Sequence, residues 1–510
     1  MANESTLIDL LLANPQRRPL IGSPGLADLS QKDLFDQVRE TVRLLNRSGI
    51  GRNERVAIVL DNGPEMATCF IGVAAGAAAA PLNPSYKEDE FAFYMEDCGA
   101  KALIVADGAE TPARAAADKL NLPIIALHSM RDSAAGRYYL SGTLTAEAAR
   151  PGLAEADDVG LILHTSGTTS RPKLVPLSQR ILANSARNIA ATLQLTDADR
   201  GLNVMPLFHI HGLVAGILAP LSANGYVSCT MGFNALKFFA WMDEVHPTWY
   251  TAVPTMHQAI LMRAGHNRRV IEQNPLRFLR SSSSSMPVRI IRELEATFGA
   301  PLIEAYGMTE AAHQMASNPL PPLARKHGTV GIAAGPEVAI MDERGQLLPA
   351  NTQGEIVIRG ANVIIGYENN ERANAESFTN GWFRTGDLGV TDDDGYISIS
   401  GRAKEIINRG GEKISPREVD EILMDHPAIA QAVTFAIPHE RLGEEVGAAV
   451  VLREGANATE RDIRDFVDAR AADFKVPRKV LILEEIPKGA TGKLQRIGLA
   501  EKLGLVVPRS

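Results

Sequence analysis

The segment LHTSGTTSRPKLVP, residues 163–176, gathers five hydroxyl side chains, one glycine and two cations. Hydroxyls, exposed backbone N–H groups and cations together suit a ligand with many anionic oxygens, and a phosphate chain is the commonest such ligand. The segment is not a Walker A loop, because Pro172 rather than glycine precedes Lys173. A glycine-hydroxyl run alone also describes an ordinary solvated turn. Its company elsewhere in the chain decides between the two.

That company is EAYGMTE (304–310), FRTGDLG (383–389), GRAKEIINRGGEKISP (401–416) and PKGATGKLQR (487–496). With the opening loop, these segments resemble in order and spacing the signature segments of the adenylate-forming superfamily of acyl-CoA synthetases, adenylation domains and luciferases. The resemblance covers nearly the whole chain. It assigns the opening loop to pyrophosphate: Thr165, Ser166, Thr168, Thr169 and Lys173 donate to the β and γ phosphates of ATP, and Gly167 admits the backbone. Glu304, Ala305, Tyr306 and Gly307 then belong to the nucleotide site, with the Tyr306 ring over adenine. Thr309 donates to the α-phosphate, and Glu310 holds Mg²⁺, a hard cation that favours a carboxylate beside phosphate oxygens. Asp387 suits both ribose hydroxyls, as an acidic residue does in dinucleotide sites. Arg402 supports the same ribose, and Lys404 matches the family's hinge.

Lys493 sits in the glycine-flanked turn 489–493. Most lysines in such turns are merely solvated; the resemblance makes this one the cation that neutralises charge as a carboxylate attacks the α-phosphorus. Adenylyl transfer asks the protein chiefly for positioning and charge stabilisation. In the CoA ligases of the superfamily a thiol then displaces AMP after the small domain rotates. That rotation would swap Lys493 for the face carrying Asn408, Arg409, Gly410 and Gly411, whose glycines let pantetheine pass close to backbone. Many relatives carry lysine at the place of Asn408.

The resemblance also locates the acid pocket, at PLFHIHG (206–212), at residues 280–287 and in the loop after Glu310. Here those places hold His209, His211, the serine run 281–285 and His313. A fatty-acid tunnel wants apolar lining, since a buried polar group without a partner costs about 1 to 3 kcal/mol. A small, wet pocket is expected instead. His209 and His211, two apart on an expected strand, share one face, but no third metal ligand has a fitting spacing. His209 is expected to close the pocket near the reacting carboxylate; His211 is either a packed residue or one that supports the pocket from behind. The branch that the segments resemble most is the plant and fungal oxalate:CoA ligases, in which the residues matching Ser283 and His313 contact the far carboxylate. Two departures from that branch are Gly307, where alanine is expected, and the unbroken serine run.

The expected activity is therefore an ATP-, Mg²⁺- and CoA-dependent carboxylate:CoA ligase, with oxalate the leading acid. A ligase for another short, medium-chain or aryl acid, an adenylation domain serving a carrier protein, a luciferase-like oxygenase and a non-catalytic nucleotide-binding regulator are the alternatives.

The elements that must position these residues follow from length and pattern. A chain of 510 residues exceeds one core, since cores stop growing near about 250 to 300 residues. With 45% hydrophobic and 22% charged residues it has ordinary globular composition. A net charge of −8 leaves no footprint for nucleic acid, so the partner is a small molecule. Strand-like VAIVL, KALIVAD, GLILHTSG, NVMPLFHIHG and PTWYTAVP alternate with helical stretches, which predicts parallel α/β layers. After Pro319, short strands predict an antiparallel, barrel-like subdomain, and the last hundred or so residues predict a small, mobile α/β domain. The boundary is placed at 1–402 and 403–510. The apolar run from Cys69 to Leu82 is too short to span a bilayer and reads as a buried helix. Cys69, Cys98 and Cys229 lack motif spacing and fit a reducing compartment. The N-terminus shows no basic leader and the C-terminus no S-K-L-type tripeptide, so a cytoplasmic location is expected.

Overall fold

Strands without polar alternation have to be covered on both faces, and the first three hundred or so residues are built on such strands. The structure is a computed structural model that describes residues 6–12, 15–142, 146–165, 172–488 and 494–506. Among these, Arg55–Val59, Ala78–Pro81 and Ala100–Ala106 pair in parallel at the centre of a seven-stranded sheet. That sheet ends in antiparallel edges, Tyr138–Ser141 on one side and the hairpin of Val159–Thr165 with Lys173–Ser178 on the other. A nine-stranded sheet runs parallel through Tyr226–Cys229, Arg200–Asn203, Trp249–Ala252, Phe278–Ser281 and Leu302–Met308. It turns antiparallel at His313–Ser317, the strand that opens with the histidine expected in the acid pocket.

Between the two sheets lies a layer of helices. Helix Pro64–Ala74 is buried along its whole length and touches strands of both sheets; Gln179–Thr192, buried on one face, also touches both. Ser178 caps the latter, its hydroxyl accepting from the Ile181 N–H at 3.3 Å. Phe70, Ile71, Leu182, Ile217 and Trp249 belong to one continuous core across this layer.

Two expectations need correction. The run Cys69–Leu82 is not one helix: the helix ends at Ala74, and Ala78–Pro81 is a central strand. Alanine's helix propensity yields here to tertiary context, because the segment pairs in parallel with Arg55–Val59 and Val159–Thr165 and Ala78, Ala79 and Ala80 are buried in the sheet. NVMPLFHIHG is also not one strand. The strand stops at Asn203, and His211–Leu218 forms a π-helix, a wide turn often found at functional sites. The Gly212 carbonyl accepts from Asn203 Nδ2 at 3.2 Å, which ties the start of this turn to the end of the strand.

The short strands Glu337–Met341, Gly354–Arg359, Phe378–Thr379, Trp382–Thr391 and Ile397–Arg402 form an antiparallel five-stranded sheet. Sheet membership changes between Arg402 and Ile407: from there the chain joins a second five-stranded sheet with helices Pro416–Met424 and Glu460–Asp468. Its strand Lys479–Ile482 runs parallel to Gly443–Leu452, making this unit α/β as expected. All three cysteines are free and buried, and burial pushes the Cys98 and Cys229 thiols up to about 12 and Cys69 higher still. No helix of the described residues is long and apolar enough to cross a membrane.

Candidate active site

Hairpin pairing sets the ends of the hydroxyl loop, because Thr165 lies opposite Lys173 in the antiparallel register. Ser166, Gly167, Thr168 and Thr169 lie outside the described residues, as does Lys493. Lys173 is half-buried, with its ammonium over the Tyr367 ring at 4.3 Å. Burial lowers its pKa, opposed by Glu310 and reinforced by Lys404. The Tyr367 hydroxyl donates to Glu310 Oε1 at 2.7 Å, and Glu310 is 6% exposed. Burial raises the Glu310 pKa, with the Tyr367 hydrogen bond pulling the other way. Thr309 and Glu310 sit on a short 3₁₀ turn that ends Leu302–Met308. The structure thus brings Lys173, Glu310 and Tyr367 together; no quoted sequence segment contained Tyr367.

A divalent cation fits this arrangement. Among the described residues no group of three His, Cys, Asp or Glu side chains can hold a metal alone. A buried carboxylate on which the charges of Arg402 and Lys173 act suits an ion that takes its other ligands from phosphate and water, the pattern Mg²⁺ favours.

Asp387, 5% exposed, is fixed from both sides. Arg402 Nε donates to Oδ1 at 2.8 Å, and the Tyr306 hydroxyl donates to Oδ2. Tyr306 therefore anchors the acidic residue through its hydroxyl while its ring lies 8% exposed. The Asp387 carboxylate raises the Arg402 guanidinium pKa further. The Ala305 carbonyl accepts from Ser282 Oγ at 2.9 Å. Glu304 is buried, its carboxyl pushed up to about 8 by desolvation, with the Gly328 N–H approaching at 3.3 Å. Gly307 explains itself sterically: a Cβ there would stand 1.6 Å from the His313 carbonyl oxygen.

The residues expected to line an acid pocket form one hydrogen-bonded cluster. His211 Nδ1 lies 3.0 Å from Ser283 Oγ and His211 Nε2 lies 2.6 Å from Thr251 Oγ1. The His211 and His313 rings stack at 4.8 Å. His209, half-buried at the turn before the π-helix, accepts the His211 N–H on Nδ1 at 3.3 Å. Behind them lies Arg280, 0% exposed, with Nη2 donating to His313 Nε2 at 3.1 Å and to Gln314 Oε1 at 3.2 Å. Ser283, Ala312 and His313 all have positive φ, at 75°, 47° and 100°. Non-glycine residues rarely adopt this backbone, and it clusters at ligand sites where surrounding structure enforces it. Sequence reasoning took His211 as an open case, reached Arg280 only as the start of the segment 280–287 with no role of its own, and passed over Thr251 and Gln314, which no local spacing connects.

Arg409, Gly410 and Gly411 form the tip of a hairpin on the small unit. Gly410 and Gly411 have φ of 61° and 99°, as a two-residue hairpin turn requires. Arg409 pairs with Glu445 at 2.6 Å, and Asn408 Oδ1 accepts the Gly411 N–H at 3.1 Å. These contacts run within the small unit rather than to the nucleotide cluster. Lys404 is exposed in the turn after Ile397–Arg402. Between the units, Thr255, Ser284 and Ser285 face Arg417, Asp420 and Arg496 across a shared cavity.

Residues 13–368 match the model of the AMP-binding enzyme family, and residues 418–493 match that of the AMP-binding enzyme C-terminal domain. The chain is 45% identical to an oxalate–CoA ligase of Arabidopsis thaliana over 94% of its own length and 95% of the relative's. It is 41% identical to an oxalate–CoA ligase of Saccharomyces cerevisiae, over 88% and 87%. Among solved structures, ATP-bound MatB from Rhodopseudomonas palustris superposes with a TM-score of 0.87 at 27% identity, covering 98% of this chain and 99% of that one.

Proposed function

Because the chain belongs to the AMP-binding enzyme family, we propose that it joins oxalate to CoA through an oxalyl-adenylate. It is an AMP-forming acid–thiol ligase using ATP and CoA. In the first half-reaction an oxalate oxygen attacks the α-phosphorus of ATP and pyrophosphate leaves. In the second the CoA sulfur attacks the acyl carbon, AMP leaves, and the thiol proton passes to solvent.

The residues divide the work as follows. Thr165, Ser166, Gly167, Thr168, Thr169 and Lys173 hold the β and γ phosphates, Asp387 and Arg402 hold the ribose, and Ala305, Tyr306 and Gly307 border the base. Thr309 steadies the α-phosphate. Glu310 would hold Mg²⁺, which supplies neutralising charge on the phosphates when bound. Lys493 neutralises charge during attack, and His209 closes the pocket beside the reacting carboxylate. Arg409, Gly410 and Gly411 take CoA once the unit 403–510 has turned about Lys404 against 1–402. The change of sheet membership between Arg402 and Ile407 supports that hinge. Three free cysteines support a reducing, cytoplasmic setting.

The choice of acid rests on the polarity of the pocket: Ser283, His211 and His313 line it with hydrogen-bonding groups where a fatty acid wants carbon. Pyrophosphate release with MgATP and CoA, measured over oxalate, malonate, acetate, octanoate and 4-coumarate, tests it. Selective turnover of oxalate is expected. Preference for a monocarboxylic acid would keep the ligase and discard oxalate, and silence throughout would return the chain to nucleotide binding without catalysis.

A further inference from the structure

Arg280 is a fully buried guanidinium that meets two histidines, a threonine and a glutamine, and no carboxylate among the described residues. It reaches His211 Nε2 and Thr251 Oγ1 at 3.4 Å through Nη1, and His313 Nε2 and Gln314 Oε1 through Nη2, while Nε has no partner among the described residues. Burial alone lowers its pKa, to about 9, with no carboxylate among the described residues to oppose the effect. Buried charges are normally paired, because an uncompensated one is strongly destabilising. Among the described residues Arg280 meets no such counter-charge.

A guanidinium donates and never accepts, so it orders the protons around it. His313 Nε2 accepts from Arg280, which places the His313 proton on Nδ1. On the other arm Arg280 Nη1 donates to Thr251 Oγ1, the Thr251 hydroxyl donates to His211 Nε2, and the His211 proton therefore sits on Nδ1 and is donated to Ser283 Oγ. The Ser283 hydroxyl, already accepting, has its own proton to give. Both arms convert one buried cation into donors at Ser283 and His313.

The backbone holds this arrangement in place. Arg280 and Thr251 are register partners on adjacent parallel strands. Gln314 is locked by its amide donating to Thr192 Oγ1 and to the Ala334 carbonyl, both at 3.1 Å, which turns its oxygen to Arg280. His313 keeps its φ of 100° beside Gly307, the residue whose missing Cβ leaves room for the His313 carbonyl.

We propose that Arg280 is the specificity-determining residue of the acid site: a positioning residue whose absent counter-charge is the second carboxylate of a short dicarboxylate, received through Ser283 and His313. This rests on the oxalate reading above. The charge acts through the two imidazoles without direct exposure, so it favours a dianion over an isostere with a neutral far end.

The test uses the full-length protein with MgATP and CoA, and compares oxalate with oxamate, in which a carboxamide replaces the far carboxylate. The wild type is expected to prefer oxalate in kcat/KM by at least about 100-fold. Arg280→Gln is expected to raise KM for oxalate by about 10- to 100-fold with a much smaller change in kcat, to change KM for MgATP by less than about 3-fold, and to collapse the oxalate preference. Arg280→Lys, which keeps the charge but not the fork, is expected to recover part of the preference. Equal losses for oxalate and oxamate, or a fall in kcat alone, would overturn the role of Arg280. Should Arg280→Gln lose ATP binding as well, the wild-type comparison decides: oxamate used as well as oxalate means that no cation serves the far carboxylate. A wild type inactive on oxalate but active on another acid would instead reject the substrate reading, and Arg280 with it.

Discussion

The hydroxyl of Tyr367 donates to the buried carboxylate of Glu310 at 2.7 Å, while Lys173 rests on the other side of the same residue, over its ring. One aromatic side chain thus spaces the cation of the phosphate loop from the carboxylate expected to hold the metal. Tyr367→Phe keeps the ring under Lys173 and removes only the donor. Because that donor holds the Glu310 pKa down against burial, its loss moves the acid limb of kcat/KM for MgATP to higher pH. A hydrogen bond to a charged group contributes about 1.5 to 3 kcal/mol, so a loss of roughly 10-fold or more near neutral pH is expected. A pH profile of the two proteins checks this; an unmoved acid limb would detach Glu310 from metal binding.

Gly307→Ala places a methyl where the His313 carbonyl oxygen stands. The strand must give way or His313 must move. The expected result is a lower melting temperature and a rise in KM for oxalate of about 10-fold or more, with a smaller rise for MgATP. Steady-state kinetics with each substrate varied in turn separates the effects, and equal rises would mean that Gly307 serves the nucleotide rather than the acid pocket.

Lys493→Ala is expected to abolish adenylate formation and to leave thioester formation from supplied oxalyl-adenylate largely intact. Assaying the two half-reactions separately provides the check. Equal loss in both would remove Lys493 from the adenylation step.

Glu304 carries a pH signature in stability. Burial pushes its carboxyl up to about 8 from an ordinary value of 4.5. Between those values the folded protein keeps a proton that the unfolded chain has released, so stability falls as pH rises through the window, by at most about 1.4 kcal/mol per unit, and levels off above it. Glu304→Gln has no such titration. The variant's melting temperature relative to wild type should therefore climb from pH 5 to pH 8, and a constant difference would mean that Glu304 is ionised in the fold.

The family was legible because each segment joins several polar side chains over a few residues, as in EAYGMTE. The parallel strands were legible for a similar reason, since unbroken apolar runs such as ALIV at 102–105 have one reading in a layered fold. What escaped depends on distant partners. Arg280 meets Thr251, His211 and His313, which lie 29, 69 and 33 positions away. Tyr367 meets Glu310 across 57. The alanines at 78–80 carry a helical propensity that pairing with a strand on each side overrides. The π-helix at His211 misled in the other direction: a β-like apolar spelling is wound there into a wide turn.

The burial of Cys69, Cys98 and Cys229 has an experimental use. Thiolates, not thiols, react with disulfide reagents, and these three side chains are both shielded from solvent and held far from ionisation. In samples withdrawn from a reaction of the folded enzyme, the sulfhydryl of CoA is then the thiol a chromogenic disulfide titrates, so its loss from one timed sample to the next reads product formation. The same reagent, applied without CoA during heating or denaturant addition, counts unfolded molecules through three otherwise silent sulfurs.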